Sequence, residues 1–384
     1  MIYLDNAATS YPKPKEMLEQ MTHFITEVGS NVNRGIYGNA YEAESIVFET
    51  RQKLCKLFDF PYEDHVVFTQ SVTYAFNMII YGLFQKGDHV LISGMEHNAV
   101  VRPLYQKQKD GVEISIMPCT TKGELILDNL QLLVKSNTKA VIVTAASNVC
   151  GTILPLKEIG EFCKKNGLIF IVDSAQGAGA MPISMKKMQI DLLAFTGHKG
   201  LLGPQGIGGF LVEKHLASQM KPVVVGGTGS FSEQEEMPQT MPDKFEAGTM
   251  NLPGIYGLYG SLQYLEKLGV DTIAQREQEL LSYFLKELEH IQGIHIIGKK
   301  DCINRLATVS IQCDFMDEAE LAFQLEQKYG IMARVGLHCA PLAHKSLGTF
   351  PRGTLRFSLG YETKKEDIVS AIQGIRRIQF ESSK

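Results

Sequence analysis

Ile169-Phe-Ile-Val-Asp173-Ser-Ala-Gln176-Gly and Leu192-Leu-Ala-Phe-Thr196-Gly-His198-Lys199-Gly-Leu-Leu-Gly-Pro-Gln-Gly are the stretches on which the reading of the fold turns. In each, a short and almost wholly apolar run ends in a small polar turn. A strand that is apolar on both faces is one covered by helices on both sides, the pattern of a parallel sheet in an α/β protein. Similar runs occur at 65–69, 89–93, 114–118, 140–145 and 208–212, separated by amphipathic stretches such as 41–57, 73–83 and 156–165. The alternation from about residue 40 to 225 predicts a mostly parallel sheet sandwiched between helices.

The segment 226–248 breaks this rhythm with clustered glycines, acids and prolines, and reads as a long surface loop. Helical patterns follow at 254–268 and 272–289. From about Ile294 short strands (307–312, 354–358) mix with helices (317–329, 365–379), which predicts a smaller α+β domain.

The bulk properties narrow the function. Of 384 residues, 44% are hydrophobic and 21% charged, as in an ordinary soluble globular protein. The net charge of −4 carries no long run of one sign, which argues against nucleic acid or a membrane as the main partner. The opening residues lack the basic and apolar segments of a signal peptide, and no apolar run is long enough to cross a bilayer. The seven cysteines are scattered without CxxC spacing, so no disulfide framework or metal site is expected, and the location expected is cytoplasmic.

In open α/β sheets ligands bind at the carboxyl ends of the strands. Asp173 alone could equally be a helix cap, and Lys199 alone a surface lysine. Yet Lys199 follows a buried strand and precedes a glycine-rich loop, where an amine can turn nucleophilic towards carbonyls. An acid and a lysine at strand ends suit pyridoxal phosphate, whose aldehyde needs an amine and whose ring nitrogen needs an acid. Ser71-Val72-Thr73, opening a helix after the strand at 65–69, suits its phosphate, although an ordinary cap reads the same.

The chain also resembles the class V aminotransferase family, in particular its cysteine desulfurase and selenocysteine lyase group. The resemblance runs through Tyr3-Leu-Asp-Asn-Ala-Ala8, Asn33-Arg-Gly35, Glu96-His97-Asn98, Ser147-Asn148-Val-Cys-Gly-Thr152, Asp173-Ser-Ala-Gln176, Gly197-His198-Lys199, Phe245-Glu-Ala-Gly-Thr249 and Arg334-Val-Gly-Leu-His-Cys339-Ala. It implies the fold of PLP-dependent transferases (fold type I): a large domain at 16–255 around a mostly parallel seven-stranded sheet, and a small domain from 1–15 and 256–384. It implies that Lys199 holds the cofactor as a Schiff base and moves protons, that Asp173 pairs with the ring nitrogen, and that Gln176 bonds the ring oxygen. His97 would stack on the ring. Ser71, Val72, Thr73, Thr196 and His198 would bind the phosphate, with Thr249 reaching the phosphate of a second subunit in a homodimer. Asn148 and Arg356 would hold the substrate carboxylate, with Arg334 and Asn33 beside them.

By the same resemblance Cys339 takes sulfur from L-cysteine as a persulfide and leaves L-alanine, with a sulfur acceptor, such as a protein, to follow. His338 and Arg334 are the nearby basic residues that would favour its thiolate. Leu337 replaces a histidine common in that loop, and Val72 a threonine common in the phosphate turn. The alternatives are a selenocysteine lyase, an aminotransferase or C–S lyase of the same family, and a non-catalytic scaffold with the same fold. A nucleotide-binding enzyme is disfavoured, because neither GxGxxG after the first strand nor GxxxxGK[ST] is present.

Overall fold

The computed structural model describes residues 1–32, 37–128, 130–231 and 233–382. Its strands are β1 (Ile2–Tyr3), β2 (Val66–Thr69), β3 (His89–Ser93), β4 (Glu113–Met117), β5 (Thr138–Thr144), β6 (Ile169–Asp173), β7 (Leu192–Thr196), β8 (Gly208–Val212), β9 (Ile294–Ile297), β10 (Thr308–Cys313), β11 (Ile331–Met332), β12 (Arg334–Gly336) and β13 (Thr354–Ser358). Seven form one sheet in the order β2-β8-β7-β6-β5-β3-β4. All its pairings are parallel except the two that β8 makes, with β7 and with β2.

The apolar runs are explained by what covers each face. Leu193 and Phe195 of β7 join one buried cluster, while Leu192 and Ala194 join the other. The helices Gly38–Phe58 and Leu252–Leu268 contribute to the first cluster. The helices Val72–Leu83 and Asn98–Lys109 contribute to the second. With apolar neighbours on both sides, no position of the central strands is left for a polar residue until the strand ends. Glycine is required where β8 crosses β2, because a Cβ at Gly209 would lie 2.1 Å from the Val67 carbonyl oxygen.

A second sheet, β12-β13-β10-β9, is antiparallel throughout and is backed by the helices Val270–Glu289, Glu318–Tyr329 and Lys365–Ser382. The N-terminal strand β1 pairs with β11, and Leu4 enters the core of this second unit. The helix Leu252–Leu268 runs unbroken through position 255/256. Among the described residues 220–251 contain no helix or strand, in keeping with the expected long loop. That loop is pinned by Glu246, whose carboxylate accepts from the Phe68 N–H at 2.7 Å and from Arg51 at 2.6 Å. No described helix is long and apolar enough to cross a membrane.

Candidate active site

Because β2, β3, β5, β6 and β7 run the same way, their carboxyl ends open on one edge of the sheet. Five polar turns meet there. Ser71 caps the helix Val72–Leu83, its Oγ accepting from Tyr74 N–H, and the first N–H groups at Val72 and Thr73 have no acceptor within the helix. After β3, His97 caps the helix Asn98–Lys109, with Nδ1 accepting the Ala99 N–H at 3.0 Å. Its proton therefore resides on Nε2 when the ring is neutral. Burial and the cations Lys199, Arg334, Arg102 and Arg356 push this ring down to about 4, so it is neutral near pH 7.

Asp173 ends β6 with 2% of its surface exposed. Burial raises its pKa above the usual carboxylate range, while the Ala175 N–H, at 2.9 Å, and Lys199 act in the opposite sense. Lys199 follows β7. Burial lowers its amine to about 8, Asp173 and Cys339 pull it up, and Arg356 and Arg334 push it down. Gln176 donates to the Ala7 carbonyl at 3.0 Å. Glu96, beside His97, accepts from Ser93 Oγ and from Thr144 N–H at 2.8 Å; burial lifts it to about 8, which leaves it a neutral acid near pH 7.

The small domain closes the site. Arg356 in β13 is 1% exposed, donating to the Asn148 carbonyl at 3.0 Å and to Asp5 at 2.6 Å. Arg334 is its antiparallel register partner in β12 and is exposed. The strand β12 leads into a turn in which His338 and Cys339 both have positive φ, 47° and 57°. For residues other than glycine that conformation costs about 1–3 kcal/mol each, so the surroundings must hold it. They do so through Asn148 Nδ2 on the His338 carbonyl at 2.7 Å and the Asn98 N–H on the Cys339 carbonyl at 2.8 Å. Among the described residues Cys339 is the one exposed cysteine. It shares a groove of about 360 Å³ with Thr73, His97 and Arg102.

His338 does not serve as the cation beside Cys339. Its ring is buried, Nε2 is paired with Thr354 Oγ1 at 3.0 Å, and burial with Arg356 and His344 holds it far below its usual range, so it stays uncharged. Asn33 lies outside the described residues. Thr249 is exposed on the long loop, in a surface pocket with Thr69, Tyr74 and Val224, apart from the groove. The sequence reading gave no role to Asp5, although it lies inside the motif Tyr3-Leu-Asp-Asn-Ala-Ala8 that carries the resemblance. It also missed Arg102, which carried no signal.

A family model, Aminotransferase class-V, matches residues 2–370. The chain belongs to the class V aminotransferase family. It is 32% identical to a protein of Methanothermobacter thermautotrophicus named "Probable cysteine desulfurase", over 96% of this chain and 92% of the relative. It is likewise 32% identical to a cysteine desulfurase of Yersinia pseudotuberculosis, over 99% of this chain and 93% of the relative. The apo structure of cysteine desulfurase from Thermococcus onnurineus NA1 superposes with a TM-score of 0.93 at 29% identity, covering 99% of this chain and 95% of that one.

Class V aminotransferases use pyridoxal phosphate, and the residues here fit that group. Among the described residues Thr196 Oγ1 and His198 Nδ1 are buried without a hydrogen-bond partner, and the N–H groups of Val72 and Thr73 open a helix without acceptors inside it. A buried polar atom left unpaired costs about 1–3 kcal/mol, which a bound phosphate would relieve. Burial and the Lys199 and Lys13 cations push the His198 ring down to about 4.

Proposed function

We propose that this chain is a cysteine desulfurase that converts L-cysteine to L-alanine and carries the sulfur on Cys339. The observation that carries the reading is an exposed thiol, held in a strained turn, in one groove with His97 and close enough to Lys199 to perturb its amine. An aminotransferase has no use for such a thiol. The full-length similarity to proteins named cysteine desulfurase supports the same activity.

Bound pyridoxal phosphate would supply a ring able to take up the charge left when the substrate Cα–H bond breaks. Lys199 would hold its aldehyde, and then take the Cα proton. Asp173, an acceptor at the floor of the site, would keep the ring nitrogen protonated, and Gln176 would donate to the ring oxygen. Val72, Thr73 and Ser71 at the helix start, with Thr196 and His198, would bind the phosphate. His97 would lie over the ring and present Nε2–H. Arg356 and Asn148 would receive the substrate carboxylate, as a planar guanidinium donates two parallel hydrogen bonds; Arg334 beside them would add positive charge.

The Cys339 thiolate then attacks the substrate sulfur. A sulfur–sulfur bond forms, the Cβ–S bond breaks, and the electron pair passes to Cβ, which takes a proton. Cysteine and a thiol become alanine and a persulfide, with no outside oxidant or reductant.

The assembly is a homodimer, supported by the exposed Val223, Val224, Val225 and Phe231 on the long loop, of which Val224 shares a surface pocket with Thr249, and Thr249 would serve the partner's phosphate site. The scattered free cysteines suit the cytoplasm, and the persulfide would pass to a protein acceptor. The division keeps a large domain at 16–255 and a small domain from 1–15 and 256–384, with the join falling inside the helix Leu252–Leu268. The direct test is mass spectrometry of Cys339 after L-cysteine is added without reductant: one added sulfur atom on Cys339 supports the reading, and an unmodified Cys339 with alanine formed refutes it.

A further inference from the structure

The turn Gly197-His198-Lys199 closes two of its three carbonyls on its own loop. Gly203 N–H donates to the Gly197 carbonyl and Leu202 N–H to the Lys199 carbonyl, both at 2.8 Å. The third carbonyl belongs to the peptide that joins His198 to Lys199, and it is met from outside by the segment 9–13. Ser10 N–H reaches it at 3.0 Å, Thr9 Oγ1 at 3.1 Å, Ser10 Oγ at 3.2 Å and Lys13 Nζ at 2.8 Å. Of these donors only the Lys13 ammonium is charged, and it also donates to Ser10 Oγ at 2.8 Å. Glycines at 197 and 200 flank His198 and Lys199 and leave the backbone a freedom that an outside contact must remove.

The segment that supplies these donors is anchored at its other end on the second sheet. Asp5 accepts from Arg356 at 2.6 Å, and Ala7 N–H donates to Ser358 Oγ at 2.8 Å, both partners lying in β13. Between the two ends the Ala7 carbonyl accepts from Gln176 at 3.0 Å. One short run, 5–13, therefore touches Arg356, Gln176 and the peptide ahead of Lys199. Lys13 itself is half-buried and has no carboxylate partner among the described residues. Burial lowers its amine to about 8. A lysine held below its ordinary value costs the fold stability while it is charged, so near pH 7 the fold alone would be served better by a neutral side chain. The charge does act on His198, whose ring it helps to keep neutral. Nδ1 of that ring is one of the buried atoms left unpaired among the described residues.

We propose that Lys13 is a positioning residue for the cofactor: its ammonium fixes the peptide ahead of Lys199 and supplies positive charge behind the phosphate site at His198. The inference rests on the reading that Lys199 and His198 hold pyridoxal phosphate. Lys13 acts through the His198–Lys199 peptide and through the field it lays on the His198 ring. The three neutral donors on the same carbonyl keep the turn folded without it, so its loss loosens the cofactor and spares the fold. A hydrogen bond from a charged group is worth about 10- to 100-fold in an equilibrium constant, which sets the scale of the effect.

The test compares the full-length protein with Lys13→Met, which keeps most of the side-chain volume without charge or donor, and with Lys13→Arg, which keeps both. Equilibrium dialysis against pyridoxal phosphate near pH 7 is expected to show affinity lower by about 10- to 100-fold in Lys13→Met and within about threefold of the unmodified protein in Lys13→Arg. The urea midpoint of Lys13→Met stripped of cofactor should equal or exceed that of the unmodified protein, since a desolvated charge has gone. Unchanged cofactor affinity in Lys13→Met would overturn the proposal, and so would Lys13→Arg binding as weakly as Lys13→Met. Weaker binding that comes with a lower midpoint would also overturn it, because it would mark Lys13 as structural. Lys199→Ala separates this from the reading beneath it. If that variant keeps the visible band of bound cofactor, the assignment of Lys199 fails and the inference with it. If the band is lost there while Lys13→Met binds normally, the inference about Lys13 alone fails.

Discussion

Asp5→Asn separates two roles of the Arg356 guanidinium. In the structure that guanidinium is 1% exposed and its one carboxylate partner among the described residues is Asp5, at 2.6 Å, with an Asp5 side chain about a fifth exposed (21%). Breaking a buried pair by removing one partner costs about 3–5 kcal/mol. The partial exposure of Asp5 lets water compensate, so a loss of about 2–3 kcal/mol is expected. The same change should help the substrate. A substrate carboxylate bound to Arg356 would sit about 5 Å from Asp5, and two like charges at that distance repel by about 3 kcal/mol at an effective dielectric constant of about 20. Discounted for solvent, relief of about 1–3 kcal/mol corresponds to a KM for L-cysteine lower by about 5- to 150-fold. The assays are urea denaturation of the cofactor-loaded protein and steady-state kinetics. An unchanged denaturation midpoint together with a raised KM would refute the reasoning, because it would make Asp5 an orienting group for a weakly desolvated arginine.

Three further outcomes follow from the same geometry. Thr196→Val removes a buried hydroxyl that lacks a partner among the described residues; cofactor affinity measured by equilibrium dialysis should fall about 10- to 100-fold, the worth of one hydrogen bond to a charged group. In cofactor-free protein the rate of Lys199 reaction with pyridoxal phosphate should rise with pH and level off above about 8, since burial lowers this amine to about 8 and the free amine is the reactive form; a rate still climbing steeply at about pH 10 would contradict the site's electrostatics. Glu246→Gln breaks the Arg51 pair, whose side chains are 9% and 6% exposed, and frees the Phe68 N–H from a carboxylate; a loss of about 3–5 kcal/mol in denaturation experiments is expected.

The strands of the large sheet were legible because burial on both faces leaves an unbroken apolar run. Those at 89–93, 169–173, 192–196 and 208–212 end where the sequence reading put them. Strands 113–117 and 138–144 begin earlier than read, because Glu113, Thr138 and Lys139 are polar residues at exposed or half-buried starts. The helix expected at 317–329 begins one residue later because Asp317 is its cap, accepting the Ala319 N–H. Lys199 and Asp173 were readable for the same reason as their strands: each polar residue stands at the end of an apolar run. The ties that complete the site were not readable. Arg356 meets Asp5 across 351 positions and Glu246 meets Arg51 across 195, and no local periodicity encodes a pair so far apart. His338 looked like a cation from sequence, since only its burial, a property of the folded chain, makes it neutral.

The central claim is that Cys339 is the sulfur-accepting nucleophile of a cysteine desulfurase. Its most direct test is alanine release from L-cysteine, with reductant present, by the unmodified protein and by Cys339→Ala. The account predicts turnover by the first and none by the second, with the visible absorbance of bound cofactor retained in both. Alanine release from L-cysteine at an equal rate by Cys339→Ala would contradict it.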